Sequence, residues 1–321
     1  MTDPATPTSS RPPSAPVRWL ALVALSAVLA ALLALADLPA AMLIGPMIAG
    51  AVLGVGGWAL RVPATGFASG QAIVGCFIAA ALTPAIFPAF ARDWMLFVFA
   101  IVSTVAASSV LGWLISRLRV LPGTVGVWGT APGASTVMVL MAGAFGADQR
   151  LVAFMQYLRV VMVSIGAVAI ARLWVDTSGV VLPKASWFPA IEPAAFGATI
   201  VVAAAGAGIG RLVRLPSPFF LGPFLLGALL HLGAGMAFQI PQWLLSASYV
   251  LIGWTIGLQF RSETLRAAGK ALPQVILSIL VLMAFCGGIA WLLANAMGVD
   301  PLTAYLATSP GGMDTVAIIS A

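Results

Sequence analysis

The chain has 321 residues, of which 61% are hydrophobic and 7% are charged, and its mean hydropathy is +1.09. This balance excludes an ordinary soluble domain and predicts an all-α polytopic membrane protein, with the lipid bilayer as its partner. The pI of about 10.2 does not indicate nucleic-acid binding, because the 15 lysines and arginines stand singly between apolar runs, as is typical of charged loops in membrane proteins.

Residue types that carry catalysis or bind metals are scarce. Cys76 and Cys286 fall in apolar segments without a partner spacing, and His231 is the only histidine. The sequence therefore suggests no disulfide, no histidine-ligated metal centre and no cofactor. It also lacks paired carboxylates, a phosphate-binding glycine loop and a nucleophile with a base at useful spacing, so we expect the protein not to be an enzyme.

The apolar runs divide the chain into two halves. Residues 1–17 are rich in Pro, Ser and Thr and predict a disordered cytoplasmic tail. A first membrane repeat is predicted over residues 18–175, with segments at about 19–36, 42–60, 66–90, 94–116, 124–147 and 151–171. After a linker at 176–193, a second repeat over 194–321 has segments at about 194–213, 219–238, 243–260, 272–296 and 301–321.

The two halves resemble each other. Residues 38–51 (LPAAMLIGPMIAGA) match residues 215–228 (LPSPFFLGPFLLGA) at six of fourteen positions, including two prolines and two glycines. A shift of 178 then aligns Gly75 with Gly253, Trp113 with Trp291 and Thr130 with Thr308. The sequence therefore predicts an internal duplication.

Loop charge favours an inverted arrangement of the repeats. If residues 124–147 enter and leave by one face, each repeat has about five crossings, and a cytoplasmic N-terminus puts eleven loop lysines and arginines inside and three outside. If residues 124–147 instead cross the membrane completely, seven of these lysines and arginines lie inside and seven lie outside. The positive-inside rule therefore predicts two inverted repeats, each with a broken or re-entrant helix. The same shift pairs Ala321 with Gly143, so we expect the second repeat to be truncated and to lack the last helix.

Two matching motifs predict where helices break. Residues 129–136 (GTAPGAST) and 308–315 (TSPGGMDT) combine a proline, which removes a backbone donor, with helix-weakening glycines. Backbone groups freed at bilayer depth are tolerated only inside protein or beside a wet cavity, so paired breaks indicate a transporter-like substrate site; a packing kink is the alternative. The candidate substrate-binding residues in the motifs are Thr130, Pro132, Gly133, Ser135, Thr136, Ser309, Pro310, Gly311 and Thr315.

Charged and amide side chains near the breaks complete the candidate site. Arg159 lies within the segment 151–171, where a charge costs roughly 2.5–3.5 kcal/mol on insertion scales, and Gln156 lies on the same helical face. Asp314 follows the second break and is a candidate to bind a cation or proton, or to pair with Arg159. The alternatives are an arginine that snorkels to the interface and an aspartate that caps a helix.

A second pair of interruptions has a simpler interpretation. The dipeptides Gly45-Pro46 and Gly222-Pro223 occupy matching positions, and further glycines surround them. Small residues allow membrane helices to approach closely. These dipeptides therefore predict close helix packing more than a second site.

The motifs resemble a known family. Residues 127–163 (VWGTAPGASTVMVLMAGAFGADQRLVAFMQYLRVVMV) and 309–321 (SPGGMDTVAIISA) resemble the AbrB family of bacterial inner-membrane proteins, also called ammonia-monooxygenase-like, whose membrane domain is an internal duplication. The resemblance covers nearly all of residues 19–321 and implies a multi-pass protein of the bacterial inner (plasma) membrane. It also implies a link to regulation of gene expression, which we expect to be indirect because no soluble DNA-binding module follows the tail.

The expected function is that of a secondary transporter-like carrier of a small molecule or ion, working by alternating access with Arg159 and Asp314 as its central charged pair. The alternative is a membrane-embedded regulator or sensor that binds a ligand without net transport. A membrane monooxygenase ranks third, because the chain offers no convincing set of metal ligands. The oligomeric state stays open, with a homo-oligomer as one option.

Overall fold

The computed structural model describes residues 14–36, 41–58, 60–82, 86–133, 135–174, 187–297 and 308, and each regular element in those ranges is helical. In chain order the helices are α1 (Ala15–Leu35), α2 (Ala41–Val55), α3 (Ala64–Ala80), α4 (Ile86–Arg117), α5 (Val125–Thr130), α6 (Ser135–Ala144), α7 (Gln149–Trp174), α8 (Pro193–Leu212), α9 (Pro218–Ala234), α10 (Gln242–Gly257) and α11 (Ser262–Met297). The all-α prediction is confirmed. The repeat boundaries and the number of crossings stay predictions.

Three of the described helices are long and apolar enough to cross a membrane, at Ala15–Leu35, Pro193–Leu212 and Ser262–Asn295. The first has 21 residues and spans about 31 Å at 1.5 Å per residue, close to the thickness of a bilayer's hydrocarbon core. Its exposed side chains are apolar, as lipid contact requires; Leu20 and Leu35 are 71% and 83% exposed. The described chain therefore has the helices of a membrane protein.

Helix ends differ from the predicted segments where prolines intervene. Residues 66–90 were predicted as one segment, but α3 ends at Ala80 and α4 begins at Ile86. Pro84 lies between them in the sequence, and a proline disfavours the helical conformation of the residue before it. By contrast, α11 continues through Pro273 and begins ten residues before the predicted segment 272–296.

The helices pack as two bundles. The first, called here the six-helix bundle, contains α1, α2, α3, α8, α9 and α10; the second, the five-helix bundle, contains α4, α5, α6, α7 and α11. Within the six-helix bundle, α3 packs on α9 and α10 packs on α2, so elements from before and after residues 176–193 complete each other. At the boundary, α7 packs on α10, and a buried apolar cluster continues from one bundle into the other.

Glycines set the close approaches, as predicted for the Gly-Pro dipeptides. A Cβ added at Gly45 would lie 2.6 Å from the backbone nitrogen of Ala30, and one at Gly222 would overlap the carbonyl oxygen of Gly206. Both α2 and α9 continue through their prolines. These dipeptides therefore serve packing between α1 and α2 and between α8 and α9, and they do not end a helix.

Arg150, paired with Asp148, connects the start of α7 to the end of α10. Arg150 donates from Nε and Nη2 to the two carboxylate oxygens of Asp148, at 2.9 and 2.8 Å, and from Nη1 to the carbonyl of Gln259 at 3.0 Å. Burial alone would raise the pKa of Asp148, but the hydrogen bonds and charge of Arg150 outweigh it and hold that pKa below the ordinary value of 3.8. The hydrogen bond from Arg150 to Gln259 therefore links the two bundles at one end, and Asp148 holds the Arg150 side chain in place for it.

We expect Asp148→Asn to destabilise the protein at neutral pH by about 1 kcal/mol, the scale of a partly exposed pair with good geometry. Because the folded pKa is depressed, the contribution of Asp148 is complete above the ordinary value of 3.8 and is lost as the pH falls through the folded pKa. The measurement is thermal unfolding of both proteins at pH 7 and pH 3, with Glu192→Gln as a charge-matched control. A stability difference that persists unchanged at acid pH would contradict this account.

Candidate functional site

The first predicted break is present. Helix α5 ends at Thr130 and α6 begins at Ser135, and Ala131 between them is extended, with φ −53° and ψ 127°. Gly133 has φ +145°, a conformation that side-chain-bearing residues rarely adopt. The Ala131-Pro132-Gly133 turn therefore separates two half-helices, and the carbonyl end of α5 is left needing donors.

Arg159 supplies several of those donors. Its side chain is 1% exposed and lies against the break rather than reaching out along α7. Nη1 donates to the carbonyls of Ala131 at 2.8 Å and Thr130 at 3.3 Å, and Nη2 contacts the carbonyl of Gly133 at 3.4 Å. The guanidinium is therefore compensated by the partial negative charge of carbonyls at a helix C-terminus.

Gln156 extends this contact, as its position one turn earlier predicted. Its Oε1 accepts from Nη2 of Arg159 at 2.6 Å, and its Nε2 donates to the carbonyls of Trp128 at 2.7 Å and Ala131 at 3.2 Å. Gln156 is fully buried. The two side chains of α7 thus form one polar unit, the Gln156–Arg159 clamp, that holds the carbonyl end of α5.

Threonines lie at matching positions beside the two motifs. Thr130 Oγ1 lies 3.0 Å from the carbonyl of Ser108, and Thr308 Oγ1 donates to the carbonyl of Cys286 at 3.2 Å. Both threonine and carbonyl shift by 178 residues between the two contacts. Thr130 also has the carbonyl of Gly126 at 2.9 Å as an alternative acceptor.

The second half of the chain reaches the same region through α11. Helix α11 packs on both α4 and α7, and the thiol of Cys286 in α11 interacts with Thr104 of α4. Cys286 is fully buried. No sequence pattern places Ser108 or Cys286 here, because their positions depend on how α4 packs on α5 and on α11.

The electrostatic character of the described site is positive. Arg159 is its permanent charge, and the N-terminus of α6 at Ser135 points its backbone donors into the same break. In the described ranges no group of three His, Cys, Asp or Glu side chains could hold a metal ion. Of the carboxylates whose side chains are described, Asp148 pairs at the start of α7 and Glu192 and Glu263 are exposed.

The structure therefore assembles part of the predicted site. Arg159, Gln156, Thr130, Pro132, Gly133 and Ser135 come together at the first break. Thr136 lies in the first turn of α6. Five predicted residues, Ser309, Pro310, Gly311, Asp314 and Thr315, lie outside the described residues, so the pairing of Arg159 with Asp314 stays a prediction.

In the described residues the regular elements are helical, three helices are long and apolar enough to cross a membrane, and a buried arginine lies on the carbonyl end of a broken helix. These features are typical of a membrane protein with a polar centre. The profile described as "Transition state regulatory protein AbrB" matches residues 55–321, and the chain belongs to this AbrB family. The resemblance noted in the sequence is thereby confirmed.

Two relatives support this assignment. The chain is 44% identical over 306 residues to "Putative regulator AbrB" of Escherichia coli (strain K12), covering 95% of this chain and 88% of that protein. It is 23% identical over 267 residues to "Uncharacterized protein YhjN" of Bacillus subtilis (strain 168), covering 79% of this chain and 70% of that protein. No solved structure matches the chain.

Proposed function

We propose that the protein is a multi-pass inner-membrane carrier of a small anionic solute. The observation that carries this proposal is the Gln156–Arg159 clamp on a helix break, because a buried charge in an apolar bundle is a default candidate for a substrate site. The half-helix N-terminus of α6 beside it favours an anionic group, as in transporters built on discontinuous helices. No catalytic step belongs to this proposal.

The clamp leaves room for exchange of partners. Nη1 of Arg159 has one short contact, at 2.8 Å to Ala131, and one longer contact, at 3.3 Å to Thr130. The contact from Nη2 to Gly133 is longer still, at 3.4 Å, and weak by the usual geometric criteria. An anion at the break would replace these long contacts while the short ones keep the guanidinium in place.

The two bundles supply the moving parts of this proposal. The break and the clamp belong to the five-helix bundle, and the boundary with the six-helix bundle is largely apolar. Apolar contacts are not directional, so two apolar surfaces can shift against each other without breaking hydrogen bonds. Alternating access would therefore proceed by movement of one bundle against the other. For this carrier we keep the orientation that the loop charges predict, with two inverted repeats and a cytoplasmic N-terminus.

The second candidate is a membrane-embedded regulator that binds the same kind of solute without moving it. It is favoured by the name of the Escherichia coli relative, "Putative regulator AbrB". Such a protein would influence gene expression indirectly, through a bound partner or through the level of a metabolite. The site geometry serves either role, since both begin with binding at the break.

Reconstitution separates the two candidates. Purified protein in proteoliposomes is given a panel of radiolabelled small carboxylates and phosphorylated solutes, under imposed pH and sodium gradients. We expect time-dependent uptake of one class, absent from empty liposomes and reduced by an excess of the same unlabelled solute. Saturable binding of a solute with no flux under any gradient would overturn the carrier and leave the regulator.

A further inference from the structure

A second polar feature lies away from the helix break. A cavity of about 820 Å³ opens at one end of the bundles. Its charged lining consists of three arginines, Arg61 after α2, Arg150 at the start of α7 and Arg261 before α11, and one carboxylate, Glu263. The lining includes no residue of α5 or α6, and neither Arg159 nor Gln156. The cavity is therefore distinct from the candidate substrate site.

The three arginines are not equivalent. Arg150 is committed, because Asp148 binds it through two hydrogen bonds and the charge of Glu263 also acts on it. Arg61 and Arg261 are exposed, and within the part of the chain that the structure describes neither guanidinium group has a hydrogen-bond or ion-pair partner. Two uncommitted guanidinium groups thus face one cavity whose third guanidinium is fixed in place.

Other arginines of the same predicted cytoplasmic loops behave differently. The guanidinium of Arg117 lies 4.9 Å from the ring centroid of Trp113, and that of Arg211 lies 5.7 Å from the ring of Phe219. Each of these guanidinium groups makes a cation–π contact with an aromatic ring nearby in the sequence. Arginines in predicted cytoplasmic loops therefore do not converge on a cavity as a rule, whereas Arg61 and Arg261 do.

We propose that this cavity, called here the arginine cavity, binds a phosphate-bearing anion between the two bundles. Guanidinium groups bind phosphate oxygens through paired hydrogen bonds, and the volume lies within the range of roughly 300–1,000 Å³ that small-molecule sites occupy. The walls come from α2, α10 and the start of α11 together with Arg150 of α7, so a bound anion contacts both bundles. Its binding would hold the bundles in one relative position, which makes the anion a regulator of their movement.

The phosphate group could belong to a soluble molecule or to a lipid headgroup, and two arms of one experiment distinguish them. In the first arm, inorganic pyrophosphate is titrated into detergent-solubilised protein at constant ionic strength, and thermal unfolding is followed. In the second arm, the protein is placed in nanodiscs with and without phosphatidylglycerol. The variants are the double substitution Arg61→Gln/Arg261→Gln and the charge-matched control Arg117→Gln/Arg211→Gln.

We expect a saturable rise of the unfolding temperature in the wild type and in the control. In Arg61→Gln/Arg261→Gln, the half-saturating concentration should be at least about tenfold higher, since hydrogen bonds to charged groups contribute on this scale. A response to pyrophosphate assigns the site to a soluble anion, and a response to phosphatidylglycerol alone assigns it to a lipid headgroup. No saturable response in either arm, or an equal loss in the control, would overturn the proposal, whatever the outcome of the uptake assay.

Discussion

Replacing Arg159 with Gln is expected to lower solute binding by about 10- to 150-fold, the equivalent of one or more hydrogen bonds from a charged donor. The guanidinium is the permanent positive charge of the described site, and it is almost fully buried. The substitution removes the charge that attracts the anion and at the same time leaves carbonyls of α5 with fewer donors. The measurement is uptake and binding of the solute identified in proteoliposomes.

The structural part of this effect can be measured separately. Gln156→Ala also removes donors to the carbonyls of Trp128 and Ala131, but it leaves the charge of Arg159 in place. Both substitutions leave buried carbonyls short of donors, so each should destabilise the protein by about 1–3 kcal/mol. Gln156→Ala should retain solute affinity within about threefold, well under the loss expected from a charged hydrogen bond. Equal loss of binding in the two variants would reduce Arg159 to a structural role.

A lysine at position 159 tests the shape of the group as well as its charge. Arg159→Lys keeps the charge but loses the planar fork that spans the carbonyls of Ala131 and Gly133. We therefore expect affinity between those of the wild type and Arg159→Gln. Binding at the wild-type level in Arg159→Gln would contradict the proposed role of the charge altogether.

The sequence predicted the break at residues 129–136 because the effects of proline and glycine on a helix act on the residues next to them. It also predicted the shared face of Gln156 and Arg159, since residues three apart on a helix are neighbours. It could not predict that main-chain carbonyls at the break accept hydrogen bonds from Arg159, because every residue has a carbonyl and no side-chain pattern marks those that a helix end leaves free. Nor could it predict the approach of Cys286, which depends on how two long helices cross.

The same limit explains why the arginine cavity could not be predicted from the sequence. Arg61 and Arg261 were counted as loop charges, which is all that their spacing reveals, and their convergence depends on how α2, α10 and α11 end. The division into two bundles was equally out of reach. It follows from which apolar faces meet, and most of the described helices are apolar overall, so the sequence does not show which faces those are.

Substituting Gly75 or Gly253 with Ala is expected to destabilise the protein by about 1–3 kcal/mol each, the usual effect of overpacking. A Cβ at Gly75 would lie 2.7 Å from the carbonyl oxygen of Phe220, and one at Gly253 would lie 2.6 Å from that of Leu43. The clashing atom is backbone in both cases, so a neighbouring helix has to move. The measurement is the unfolding temperature in detergent.

Gly288→Ala is the matched control, because in the described part of the chain no heavy atom beyond the local helix backbone lies within 4 Å of a Cβ there, and the residue is exposed within α11. We expect it to be neutral or to stabilise by up to about 1 kcal/mol, as removal of a helical glycine does at an open position. A loss of stability in this control as large as in the other two would show that helical glycines matter here for a reason other than close packing.

The paired effect also tests the duplication. Gly75 and Gly253 are related by the 178-residue shift, and their contacts, Phe220 and Leu43, are related by the 177-residue shift of the neighbouring segment. Equivalent contacts predict losses that agree within about 0.5 kcal/mol, the scatter expected between measurements of independent sites. A large loss at one glycine and none at the other would contradict the equivalence. Because each glycine packs against a helix from the other half of the chain, equal losses would also mean that neither half completes its packing alone.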